Sequence, residues 1–104
     1  MDYNVVLTNR ASADLENIIS YLIHEKNSEQ AATNILDDFD ETMDILGNYA
    51  GTLKYCDNPK LKAKGYKRIN FRRHKYFMMF RVEDTTVYVD RIYHFLQDYE
   101  SRAN

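Results

Sequence analysis

The chain has 104 residues, 44% of them apolar, and carries 14 Lys+Arg against 16 Asp+Glu for a net charge of −2. Its length fits a single domain over 1–104 with a real core, and the lone Cys56 excludes a disulfide framework or a cysteine-built zinc site. No apolar run approaches the ~20 residues that span a bilayer, and the opening MDYNVVLTNR is not a basic-then-apolar leader, so a soluble cytoplasmic protein is expected.

Asp2 to Thr8 alternates well enough for a short first strand. Leu15, Ile18, Ile19, Leu22 and Ile23 then recur every three or four residues, which places them on one helical stripe. Thr8, Asn9 and Ser12 are candidate N-caps, and Asp14 and Glu16 fall where the helix dipole favours anions. This helix is expected to end near Lys26-Asn27. Asn27 or Ser28 caps a second helix with the stripe Ala32, Ile35, Leu36, Phe39, Met43 and Leu46, and Gly47 stands at its stop. The short break between the two makes an antiparallel hairpin. Its acids Asp37, Asp38, Asp40, Glu41 and Asp44 are expected on a solvated outer face.

Residues 48–64, with Gly51, Asn58, Pro59 and four lysines, read as a long loop. Strands follow at about 66–72, 75–82 and 86–94, the last two joined by a turn at Glu83-Asp84-Thr85. Phe95–Arg102 is expected to close the chain as a short helix. The fold class is therefore α+β, in the order β-α-α-β-β-β: an antiparallel twisted sheet with a two-helix hairpin on one face.

The third strand, Tyr76-Phe77-Met78-Met79-Phe80, is apolar without alternation. Tyr76, Met78, Phe80 and Val82 suit the helix side. Phe77 and Met79, with Ile92 opposite them, then point to the other face. Continuous apolar strands are normally covered on both faces, and either the C-terminal segment or a partner must supply the second cover. A partner is the preferred reading, because apolar grooves rimmed by charge mark interaction sites.

The net charge conceals a gradient. Residues 1–53 hold ten acids and two cations (−8), residues 54–81 ten cations and Asp57 (+9), and residues 82–104 five acids and two arginines (−3). Such asymmetry points to an anionic partner for the basic stretch, or equally to a lysine-rich loop neutralised by the acidic helices of the same fold.

Several strings resemble the RelE/ParE superfamily of toxins. Tyr3-Asn4-Val5-Val6-Leu7-Thr8 followed by Ala11, Asp14-Leu15, Ile18 and Tyr21 looks like the family's opening. Gly65-Tyr66-Lys67-Arg68-Ile69 and Tyr76 to Val82 resemble its central hairpin. Val87 to Ile92, leading to His94 and Gln97-Asp98-Tyr99, resembles its close. The likeness spans nearly the whole chain. It implies the toxin of a type II toxin–antitoxin pair, a growth inhibitor neutralised by a cognate antitoxin, of the plasmid-stabilisation type and with no cofactor or metal. That antitoxin would cover the sheet face around Phe77, Met79 and Ile92. The superfamily divides into RelE-like members, metal-free endoribonucleases that cut mRNA on the ribosome, and ParE-like members, which bind and poison DNA gyrase.

Metal-free RNA cleavage needs a base for the 2′-hydroxyl, a cation on the phosphate and an acid for the leaving oxygen. The resemblance suggests His94 and Tyr99 as an acid/base pair, with Arg72 among the catalytic groups. Arg68 and Arg72 share a strand face with Asn70 between them, where a second lysine is common in RelE-like members, and either hold phosphate or line a solvated face. With Arg73, Lys75 and Arg81 they form the candidate surface for a nucleic acid or protein target. Two departures weigh against a nuclease. Phe77 stands where RelE carries a phosphate-binding arginine, and Leu96-Gln97 stands where many relatives have arginines. ParE-like inhibition of a host enzyme such as gyrase is therefore preferred, with RelE-like cleavage as the alternative and an inactive, antitoxin-binding chain as the third reading. Arg91, which by alternation shares the helix side with Val87, Val89 and Tyr93, needs an anion, and Asp14 is the candidate for a structural salt bridge. His24 and His74 read as surface residues.

Overall fold

Thr8 is extended and its Oγ1 accepts from Ala11 N at 3.3 Å, which turns the chain out of strand β1 (Asn4–Leu7) into helix α1 (Asn9–His24). Asn27, at φ 50°, makes the bend, and Ser28 Oγ accepts from Ala31 N at 3.0 Å to start α2 (Glu29–Tyr49). A 3-10 turn (Ala50–Thr52), a short α3 (Pro59–Ala63), β2 (Lys67–Asn70), β3 (Tyr76–Glu83) and β4 (Thr86–His94) complete the order in this computed structural model, which describes residues 2–97. Among the described residues no helix is long and apolar enough to cross a membrane. Phe95 to Gln97 form a turn, and the rest of the expected terminal helix, Tyr99 included, lies outside the described residues.

Two expectations along the helices are corrected. Gly47 does not stop α2, which runs on to Tyr49 because Gly47 stays helical and its carbonyl accepts from Tyr3 N at 2.8 Å. The 48–64 loop is not structureless: Asn58 Oδ1 accepts from Lys60 N and Leu61 N, and Pro59 occupies the first turn of α3.

The fold is α+β, and its four-stranded sheet is mixed, in the order β1-β4-β3-β2. β2, β3 and β4 are antiparallel neighbours, whereas β1 pairs parallel to β4, with Val5 opposite Val87 and Leu7 opposite Val89. Alternation encodes the face a side chain takes and not the direction of its strand, so this pairing had no signal in the pattern. The β3–β4 turn is tight, with Glu83 opposite Thr86 and Asp84 at φ 53°.

A β-bulge changes the reading of β4. Pairing steps from Phe80 opposite Val89 to Met79 opposite Arg91, which leaves Asp90 as the extra residue. Side chains beyond the bulge therefore change face. Ile92 packs with Val87, Val89 and Met78 in the core under the helices, while Arg91 and Tyr93 share the opposite face with Met79 and Phe77. Ile92 thus leaves the outer-face group, and Arg91 leaves the helix side.

The outer face is not bare. Residues 54–56 lie along β2, with Tyr55 bridged to Lys67 and Cys56 N donating to Tyr66 O at 2.9 Å. Cys56, Leu61 and Tyr66 close over Met79. Phe77 lies against Tyr93 and Phe95, at ring separations of 5.7 and 6.1 Å, with the Arg68 guanidinium 3.7 Å above its ring. Phe77, Met79 and Ile92 are 0%, 1% and 2% exposed. The chain covers this face itself, and these three side chains offer a partner no surface.

Candidate functional site

Three cations of the basic stretch, Arg72, Arg73 and Lys75, stand on the connection between β2 and β3. Phe71 N donates to Tyr76 O at 2.9 Å and closes a turn holding Arg72, Arg73, His74 and Lys75. One acid organises it. Asp38 is completely buried on α2, and its carboxylate accepts from Arg72 N at 3.1 Å, Arg73 N at 2.9 Å and His74 Nδ1 at 2.7 Å. Burial pushes the Asp38 carboxyl up, but the bonds from His74, Arg73 and Arg72 outweigh it and hold the group below its ordinary value. Asp38 was expected on the solvated face with the other acids of α2. It instead falls in line with Ile35, Thr42 and Leu46, all buried, at the spacing of a single stripe. His74, expected at the surface, is Asp38's partner. Arg73 pairs with Glu41 at 2.9 Å, while Arg72 and Lys75 are exposed.

Arg81 is committed elsewhere. It donates to Asp90 at 3.0 Å and Glu83 at 2.9 Å and lies 4.4 Å over the Tyr88 ring. Burial works against its charge, but Asp90 and Glu83 overcome it and hold the guanidinium protonated. Tyr66 also donates to Asp90, at 2.9 Å, and burial followed by this bond pushes its phenol up. The bulge residue thus gathers two donors on the outer face. Arg91 reaches the Asp14 carboxylate with Nε at 2.8 Å and Nη2 at 3.1 Å, around the sheet edge that β1 leaves open. Both arginines are paired with carboxylates of the chain itself.

His94 stands opposite Tyr76, on the helix side of the sheet. Its Nδ1 accepts from Leu96 N at 3.1 Å, and its ring meets Tyr76 edge-on at 5.0 Å, in a cleft shared with Asn17, Ile18, Tyr21 and Gln97. Arg68 lies on the other face, stacked on Phe77, with Nε donating to Asn70 Oδ1 at 2.9 Å. His94 and the turn carrying Arg72 share one end of the sheet, because Phe95 N donates to Lys75 O at 2.9 Å. The fold does not place His94 and Arg68 on the same side, and Tyr99 falls outside the described residues.

The profile of the family described as the ParE toxin of the type II toxin–antitoxin system parDE matches residues 5–99. The chain belongs to this family. Among solved structures, it is similar to the chromosomal ParDE system from P. aeruginosa (21% identity, TM-score 0.70), with 88% of this chain and 95% of that one covered. It is also similar to the RelBE2 complex from Mycobacterium tuberculosis (20%, TM-score 0.58, 90% and 99% covered) and the DinJ–YafQ complex from E. coli (12%, TM-score 0.57, 90% and 93% covered). At these identities the structures speak for the fold. Curated protein sequences give no match.

Proposed function

We propose that this toxin arrests growth by ParE-like binding and inhibition of a host enzyme such as DNA gyrase, and that a cognate antitoxin neutralises it. The observation that carries the reading is Phe77. Where a RelE-type nuclease has a cation for phosphate, this chain buries a phenylalanine between Arg68, Tyr93 and Phe95. Losing one preorganised electrostatic group costs a factor of about 10²–10³ in rate. The separation of His94 from Arg68 across the sheet adds to the argument.

The structural neighbours are toxin–antitoxin systems, which supports an antitoxin as partner. Its docking surface is proposed on side chains left exposed rather than on Phe77, Met79 and Ile92. Leu96 is 88% exposed next to Gln97, which lines the cleft of Tyr21, Tyr76 and His94, and Phe95 is 41% exposed on the other face, against Phe77. Ribosome-dependent mRNA cleavage is the second reading, favoured by the cationic turn at the His94 end of the sheet. Induced expression of the chain alone tests the toxic function. Growth arrest, relieved by co-expressing the small protein of an adjoining reading frame, is expected; unimpeded growth at good expression contradicts it.

A further inference from the structure

We propose that Asp38 is a positioning residue, which fixes the turn 72–75 so that Arg72 and Lys75 dock on an acidic surface of the protein target. This assignment rests on the protein-target reading above. A buried carboxylate is costly unless its oxygens are well satisfied, and an apolar residue would pack α2 on the sheet at less cost. What the acid adds is control of a backbone. Its three bonds go to three consecutive residues, Arg72 N, Arg73 N and His74 Nδ1.

The other end of the turn is tied as well, since Lys75 O accepts from Phe95 N at 2.9 Å. The turn is therefore clamped between α2 and the end of β4. Arg73 is engaged by Glu41, and the cleft beside Arg73 and His74 is lined by Asp37, Asp40 and Glu41, which repel an anion. Among the described residues Arg72 and Lys75 have no ion pair, and both are exposed. Two unneutralised cations thus stand on a rigid turn in a chain of net charge −2. Fixed charges of this kind set register and encounter rate with a complementary surface, and a rigid backbone lowers the entropy lost on docking.

The test measures the concentration of purified chain that halves supercoiling by host DNA gyrase, from 50 to 200 mM salt, at a temperature where melting curves show each variant folded. Arg72→Ala/Lys75→Ala is expected to raise that concentration at least tenfold and to flatten its salt dependence. Asp38→Asn is expected to raise it about tenfold while keeping the wild-type salt dependence, because both charges remain. His74→Ala, which keeps the two backbone bonds, should fall between wild type and Asp38→Asn and serves if Asp38→Asn does not fold. A merely structural Asp38 would lower the melting temperature and leave inhibition by the folded variant unchanged, which overturns the proposal. So does an Arg72→Ala/Lys75→Ala chain as potent as wild type. A wild-type chain that leaves gyrase untouched removes the protein-target reading for this enzyme and the docking proposal with it.

Discussion

Asp14 on α1 stands in for the strand that β1 does not supply: its Oδ2 accepts both from Arg91 Nε at 2.8 Å and from Ile92 N at 2.9 Å. β1 stops opposite Val89, so the edge of β4 beyond the bulge would otherwise present a bare N–H. The carboxylate satisfies that donor and the guanidinium together, and both side chains are 15% exposed. Asp14–Arg91 burial makes this more than a surface pair.

Asp14→Ala should cost about 3 kcal/mol, because it strands a backbone donor as well as the Arg91 charge. Arg91→Ala should cost about 1–2 kcal/mol, since Asp14 keeps its bond to Ile92 N. Thermal melting reads both, at about 4–8 °C per kcal/mol for a domain of this size. Changes within the ±0.5 kcal/mol of an ordinary surface substitution would contradict the edge role.

Arg68 roofs Phe77, with its guanidinium 3.7 Å from the ring centre and 5.4 Å from that of Phe95. Arg68→Ala should lose about 1–2 kcal/mol from cation–π and stem packing together. Arg68→Lys should recover less than half of it, since an ammonium cannot stack as a plane. Urea unfolding checks the order. A lysine variant as stable as wild type would show that charge alone matters.

The Asp38 carboxyl gives a pH dependence with a definite sign. Its folded value lies below its ordinary one, so on acidification the unfolded chain takes up the proton first. The stability it contributes is complete above the unfolded value of about 4 and is lost as pH falls through the lower folded value. Unfolding midpoints between pH 5 and 2.5 should therefore fall more steeply for wild type than for Asp38→Asn. Parallel curves would contradict the assignment.

Much of the frame was legible because burial leaves a period in the residues. The stripe of Leu15, Ile18, Ile19 and Leu22, the cap at Ser28 and the turn after Glu83 are local signals, and the elements stand close to where those signals put them. Strand direction and the bulge at Asp90 are not local. The bulge shifts face by one residue, which carried Ile92 inward and Arg91 outward and could not be read from an uninterrupted alternation. Asp38 was legible in part: its spacing from Ile35, Thr42 and Leu46 marked it as core, and its charge argued the other way until three donors from the 72–74 turn met it. Phe77 and Met79 read as bare because residues 48–64 read as a long loop and Arg68 as a solvated cation, whereas that loop folds over Met79, and Tyr93, Phe95 and Arg68 cover Phe77.

The reading of the toxic activity is tested most directly by treating one cell extract in two ways. Wild-type and His94→Ala chains are added to a translation mixture and to a gyrase supercoiling reaction. Loss of supercoiling with both proteins and intact mRNA by primer extension are expected, because His94 Nδ1 is engaged by Leu96 N and its ring lies across the sheet from Arg68. Cuts at ribosomal A-site codons that disappear in His94→Ala, with supercoiling untouched, would contradict it.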